Sequence, residues 1–287
     1  MKSKSFVSAI LIPAFLWVIV FTFVPIIGGV VISFFDYNPL RSTNFFVGLS
    51  NFARLLNDKS FIKALSNTMY FVAIAVVINI ILSLLISQAI AKLKSNKTRS
   101  FFRVVFFMPC VAPLVASAVV WGSMMGTKYG LINMYFGTSI GWLSDPKYVL
   151  WSMIAFTLWA DIGYNIILFS AGIDGIPNEF YEAASLDGAS EWKKFTTITI
   201  PLLSRTFAFV SIMTVISYFQ MFAQFQVMLN RGEGPLQSGL VLTYYIYKVG
   251  FTQKDMGYAS AIAMVLFFII FIITLLQNRI NRSEWEY

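Results

Sequence analysis

The sequence contains no histidine. No imidazole base, no Ser-His-Asp triad and no histidine metal site can therefore be built from it. There is one cysteine, Cys110, which excludes an internal disulfide and a thiolate metal cluster. Charge is scarce as well: Asp, Glu, Lys and Arg make up 12% of the chain, about half the share in a soluble domain. No G-x-x-x-x-G-K-[ST] stretch occurs, so no phosphate-cradling loop for nucleotide hydrolysis is present.

What fills the chain instead is apolar. Of 287 residues, 58% are hydrophobic and 17% aromatic, and the mean hydropathy is +0.74. A globule of this size has too little interior to hide so much Phe, Ile, Leu and Val. The surplus calls for a lipid bilayer. The net charge of +8 then reads as the cytoplasmic excess of Lys and Arg common in membrane proteins, and not as a nucleic-acid surface.

Stretches between charges reveal the organisation. Residues 5–35, 64–91, 104–127, 206–230 and 256–278 carry no charge, and 148–173 is interrupted only by Asp161. Each is long enough for a span of about 20 residues, which predicts six transmembrane helices in an all-α, polytopic membrane protein. The first run exceeds a signal peptide's apolar region and has no convincing small-residue cleavage site, so an uncleaved first span is expected. The uncharged 234–247, with Gly234, Pro235 and Gly239, reads as interfacial or re-entrant. The turn-rich 48–51 and an amphipathic Phe52–Leu65 occupy the segment after span 1.

Lys92, Lys94, Lys97, Arg99 and Arg103, with no acid among them, predict a cytoplasmic loop after span 2. Both termini and the loop 174–205 then fall inside too. Across the whole chain the margin is small, twelve cations inside against nine outside, so this cluster carries the orientation.

The stretch from Gly175 to Pro201 reads as helix, glycine turn, helix. Pro177 suits a first helical position, Glu179 and Glu182 complement the helix dipole, Gly188 fits a C-terminal turn, and Ser190 can cap the next helix. Pro201 is expected to open span 5. Phe180, Ala184 and Asp187 share one side of the first helix. An amphipathic helix lying on lipid favours Lys and Arg on its polar face. Asp174, Glu179, Glu182, Asp187 and Glu191 here outnumber Lys193 and Lys194, the wrong sign for an anionic membrane and the right one for a protein partner.

Glu182-Ala183-Ala184, three residues, Gly188, nine residues, Ile198, then Ile200-Pro201 resembles the EAA loop of ABC importer permeases, with Ile200 where the family usually has Leu. Asn67-Thr68, Arg103, Pro109, Ile176-Pro177, Gly234-Pro235, Tyr247 and Gly257-Tyr258-Ala259-Ser260-Ala261 are similar to the carbohydrate branch. The match covers roughly 65–280, with a looser one over 1–64. The whole resembles the first of two permease subunits of a bacterial sugar importer of the maltose and glycerol-phosphate kind, without the extra spans and large external domain of longer maltose-type subunits.

That resemblance implies a type I ABC importer permease fold, with residues 1–64 as first helix and external segment, 65–280 as permease core with the coupling loop at 174–201, and 281–287 as cytoplasmic tail. It implies a multi-pass subunit of the bacterial cell membrane that is no enzyme itself. Its expected partners are a second homologous permease, two ATPase subunits, an extracytoplasmic solute-binding protein and a sugar. No cofactor is expected in this chain, ATP and Mg being bound by the ATPase. Glu182, Ala183, Ala184, Asp187 and Gly188 become the expected coupling residues, pushed as a lever in alternating access.

Substrate contacts call for polar residues inside spans. Asp161 is the only charge within a predicted membrane core, where such residues mark pathways or interior pairs. Tyr164 and Asn165 accompany it on span 4; Thr214, Tyr218, Gln220 and Gln224 lie on span 5, and in the sugar branch the equivalent two helices touch sugar. Carboxylates and amides bond hydroxyls, and aromatic faces cover the apolar side of a pyranose. The competing reading is interhelical hydrogen bonding. Without an Arg or Lys in the spans, and with Asp161 present, a neutral di- or oligosaccharide is favoured over a glycerol-phosphate or other anionic solute. A self-sufficient secondary transporter is a further alternative, for which Asp161 alone is little coupling machinery.

Overall fold

A computed structural model describes residues 11–280. The leading Lys2 and Lys4, Arg282 and the expected tail at 281–287 lie outside the described residues. Among the described residues, four helices are long and apolar enough to cross a membrane: α1 (Leu11–Ile32), α3 (Lys59–Ala91), α7 (Pro146–Asp174) and α13 (Met256–Ile280). Between α1 and α3 come the two-residue strands β1 (Phe35–Asp36) and β2 (Phe45–Phe46), then α2 (Ser50–Leu55). Two further crossings are bent pairs: α4 (Asn96–Val111) with α5 (Leu114–Met124) at 92°, and α9 (Glu191–Leu202) with α10 (Ser204–Phe219) at 70°. The short helices α6 (Leu131–Phe136), α8 (Asn178–Leu186), α11 (Ala223–Met228) and α12 (Leu242–Tyr247) complete the order. The fold is all-α with up to six crossings.

Both bends have a local cause. Pro113 forces the residue before it out of the helical region, and Ala112 is extended at φ −67°, ψ 141°. Pro201 has no N–H to continue the ladder, beside a π turn over Phe195–Thr199. Three expectations change accordingly. The third span is not one straight helix over 104–127. Pro201 does not open span 5, whose long helix starts at Ser204 after the bend. Phe52–Leu65 is not continuous: α2 ends at Leu55, and Asp58 starts α3 by accepting from the Ser60 and Phe61 amides at 2.9 and 3.2 Å.

The chain divides into two compact units. The first contains 11–62 and 245–268. Phe35 pairs with Phe46 and Asp36 with Phe45 in antiparallel register, and Asn51 Nδ2 donates to the Ser33 and Phe35 carbonyls at 2.9 and 3.0 Å. Asp58 accepts from the Tyr245 and Tyr258 hydroxyls, the latter at 2.6 Å. Arg54 pairs with Asp255 at 2.7 Å and lies 3.9 Å over the Tyr258 ring. Burial opposes ionisation of Asp58, but the two phenols and the two amides outweigh it and hold the carboxyl below its ordinary value.

The second unit, 63–244 with 269–280, holds both candidate sites. Its core is built from Phe71 and Ala75 of α3, Met153, Phe156, Ile166 and Phe169 of α7, and Val210 and Phe219 of α10, all buried. Asp145 caps α7 through the Lys147 amide at 2.9 Å, with Pro146 at its first turn. Gly163 lets α4 approach closely, because a Cβ there would collide with the Phe106 carbonyl. Within 234–244, Leu240, Val241 and Leu242 are buried. Asn67 Nδ2 donates to the Gln237 and Leu240 carbonyls at 2.8 and 2.9 Å, and Thr68 Oγ1 accepts from the Leu242 amide at 2.9 Å.

Candidate functional site

Two places in the second unit carry the chemistry. The first is a cavity of about 560 Å³ where α4, α7 and α10 meet the break between α10 and α11. Along α7, Thr157 and Asp161 stand one turn apart on one face. Also in its lining, α10 stops at Phe219 and the unwound 220–222 precedes α11, with Ser217 and Gln220 exposed and Gln224 buried in the wall. Phe222, half-buried, adds aromatic surface, and the lining contains no Lys or Arg among the described residues. Asp161 has no hydrogen-bond or ion-pair partner among the described residues. Such a wall can bond several hydroxyls and cover an apolar ring face.

Asp161, Gln220 and Gln224 thus come together from the expected substrate set. The other members go elsewhere. Asn165, Thr214 and Tyr218 are buried in a network that ties three helices: Asn165 Nδ2 donates to Asn79 Oδ1 at 2.7 Å and Thr214 Oγ1 at 2.9 Å, while Asn79 Nδ2 donates to the Tyr218 hydroxyl at 2.6 Å. This is interhelical hydrogen bonding. Tyr164 is 45% exposed and does not line the cavity. A helical wheel of α7 alone misses the division, since Asn79 is 86 residues from Asn165.

The second place is the loop 174–201. Its first helix, α8, is preceded by Pro177 as the capping residue and not, as expected, at the first helical position. It ends as the sequence predicts. Gly188 lies at φ +71°, its N–H donates to Ser185 at 3.1 Å, and the Ala189 N–H reaches back to Ala184 at 2.9 Å. This bond pair is the Schellman closure, in which a left-handed residue returns the chain to the last carbonyls. Ser190 caps the next helix by accepting from the Lys193 amide at 3.3 Å.

One side of the loop is anchored. Ile173, Ile176 and Leu203 form a buried cluster with Tyr181 packed on it, and the Tyr181 hydroxyl meets Thr199 Oγ1 at 2.9 Å. Arg103 pairs with Asp174 at 2.7 Å, Lys92 with Glu191 at 3.3 Å, and Lys194 with Glu191 at 3.0 Å. Hydrogen bonds from Lys194 and Lys92 hold the Glu191 carboxyl below its ordinary value.

The other side is bare. Glu182, Ala183, Asp187 and Gly188 are exposed and Ala184 is half-buried. Glu182 has no partner among the described residues. Asp187 stands at a helix C-terminus, where a negative charge is disfavoured by the dipole. Leu186 and Trp192 are 90% and 68% exposed beside them. The sequence reading missed these two apolar knobs; the signal for Leu186 is a large apolar residue ending the Glu182-Ala183-Ala184-Ser185 stretch, and for Trp192 an indole between Glu191 and Lys193-Lys194.

Comparison with known proteins gives a consistent result. Residues 88–285 match the family model described as binding-protein-dependent transport system inner membrane component. The arabinooligosaccharides transport system permease protein AraP of Halalkalibacterium halodurans is 34% identical over 282 residues, covering 96% of this chain and 88% of that one. The lactose transport system permease protein LacF of Rhizobium radiobacter is 32% identical over 274 residues, covering 92% and 90%. Among solved structures, a bacterial ABC transporter involved in import of the acidic polysaccharide alginate has a chain of the same fold. Its TM-score is 0.87 at 21% identity, over 99% of this chain and 98% of that one.

Proposed function

The chain belongs to the inner membrane components of binding-protein-dependent transport systems, a family of transport subunits and not of enzymes, and we propose that it forms half of the pathway of an ATP-driven importer for a neutral di- or oligosaccharide. Its partners in this reading are a second, homologous permease, two ATPase subunits that bind ATP and Mg, and an extracytoplasmic solute-binding protein. The observation that carries the substrate class is the cavity at Asp161: a carboxylate, amides and hydroxyls beside the Phe222 ring, with no Lys or Arg among the described lining residues. A phosphorylated or acidic solute would meet one uncompensated carboxylate there and nothing to neutralise it. The relatives named for lactose and arabinooligosaccharides support the same class.

Coupling runs through the bare side of the loop. Glu182 meets a basic group on the ATPase, Ala183 and Ala184 let the surfaces close, and Gly188 holds the turn between the helices. Leu186 and Trp192 give the docked surface its apolar contact. The ion pairs Arg103–Asp174 and Lys92–Glu191 support placing the 92–103 and 174–194 segments on one face, which with the cation cluster favours a cytoplasmic loop and cytoplasmic termini.

The test is uptake by the reconstituted complex against sugar concentration. Asp161→Ala and Gln224→Ala should raise the half-saturating concentration while subunit stoichiometry stays normal. Unchanged uptake in both variants would remove the cavity from the substrate path.

A further inference from the structure

On the same face as the coupling loop lies a second cavity, of about 620 Å³, among the end of α3, the start of α4, the end of α7, α8 and α9. Four cationic side chains line it, Lys92, Arg99, Arg103 and Lys194, against two carboxylates, Asp174 and Glu191. Both carboxylates are already engaged, by Arg103 and by the two lysines. Arg99 spends its Nε on the Leu93 carbonyl at 2.7 Å and has no carboxylate partner among the described residues. Arg103 is under-satisfied as well: its Nε is buried without an acceptor, and so is Gln88 Oε1 in the same wall without a donor. A concave site with two positive charges in excess and unfilled guanidinium donors is matched to an oxyanion of high charge density, which an arginine fork grips through parallel hydrogen bonds. Ser100 and Asn96 line the same cavity and can donate further hydrogen bonds to its oxygens.

We propose that this cavity binds a phosphoryl group, carried either by a membrane lipid headgroup or by a soluble phosphate. Basic pockets between helices at the membrane face have this chemistry. The bound group would join five segments at once, tying the coupling loop to the ends of α3 and α4. Occupancy would therefore stiffen the loop against the helices that it must move. This consequence rests on the coupling role proposed above; the binding itself does not.

The test uses the intact transporter in phosphatidylcholine nanodiscs, without ATP. One arm adds inorganic phosphate, with chloride at equal ionic strength as control, and reads the thermal midpoint. The other incorporates phosphatidylglycerol and reads retained lipid by native mass spectrometry. Saturable binding is expected in one arm, which identifies the source. Loss of a charge-assisted bond should weaken it about tenfold or more in Arg99→Gln, while Arg99→Lys, which keeps the charge and loses the fork, falls between Arg99→Gln and wild type, and the exposed Lys92→Gln gives a smaller loss than Arg99→Gln. Comparison with Arg99→Gln separates this cavity from phosphate sites on the ATPase. No saturable binding in either arm, or equal binding by Arg99→Gln and wild type, would overturn the proposal. Because no import is measured, failure here is distinct from failure of the sugar or coupling assignment.

Discussion

Gly188 offers a graded perturbation of the coupling loop. Its φ is +71°, and nothing lies within 4 Å of where a Cβ would stand. A Cβ therefore meets no clash within the chain, and the cost there is that of the left-handed backbone. For an ordinary L-residue that is about 1–2 kcal/mol, or roughly five- to thirtyfold in the population of the closed turn. Asn tolerates this conformation better than Ala, and a β-branched residue tolerates it worst. The Schellman bonds to Ser185 and Ala184 should then weaken in the order Asn, Ala, Val. Binding-protein-stimulated ATP hydrolysis of the reconstituted complex should fall in that same order, with Gly188→Asn near wild type and Gly188→Val nearly unstimulated. Equal rates in Ala and Gly, or a loss in Asn as deep as in Val, would refute the argument that the turn's handedness transmits the stroke.

Three further outcomes are expected. Tyr218→Phe removes the acceptor of the buried Asn79 amide; membrane hydrogen bonds of this kind average about 0.6 kcal/mol. The complex's thermal midpoint should therefore drop modestly while the half-saturating sugar concentration stays fixed, and the reverse pattern would place Tyr218 on the substrate. With Cys110 replaced, a single cysteine at the exposed Ser139 should react with an impermeant maleimide on intact cells and one at the exposed Ser95 should not; reversed labelling would invert the topology. Asp58 has its carboxyl held below the ordinary value, so its contribution is complete above that value and is lost as pH falls through the lowered one. Over that acidic window wild type should lose more thermal stability than Asp58→Asn, and parallel curves would show that the two tyrosines do not favour its ionised form.

What could be read in advance depended on the range of the interaction. The spans follow from runs of uncharged residues, and the Gly188 turn and Ser190 cap follow from chemistry confined to a few neighbours. The bends were not legible: Pro113 lies within a run that reads as one span, Pro201 reads only as the opening of span 5, and the angles of 92° and 70° depend also on what each half packs against. Long-range partners left no mark on the sequence. Asp58 meets Tyr245 across 187 positions, and Asn79 divides the polar residues of α7 and α10 between cavity wall and buried network. Asp161 and Asn165 look alike on a helical wheel; only the residues facing them assign one to open space and the other to three hydrogen-bonded helices.

The central claim is that this subunit moves sugar because an ATPase pushes on its exposed acidic loop. Binding-protein-stimulated ATP hydrolysis and sugar uptake in proteoliposomes, wild type against Glu182→Lys, test it most directly. A charge-assisted hydrogen bond is worth about 1.5–3 kcal/mol, and reversing one partner's sign costs more. The variant should insert with its permease partner yet lose both stimulated hydrolysis and uptake. Wild-type hydrolysis and uptake in Glu182→Lys, or sugar uptake by the permease pair with no ATPase present, would contradict the account.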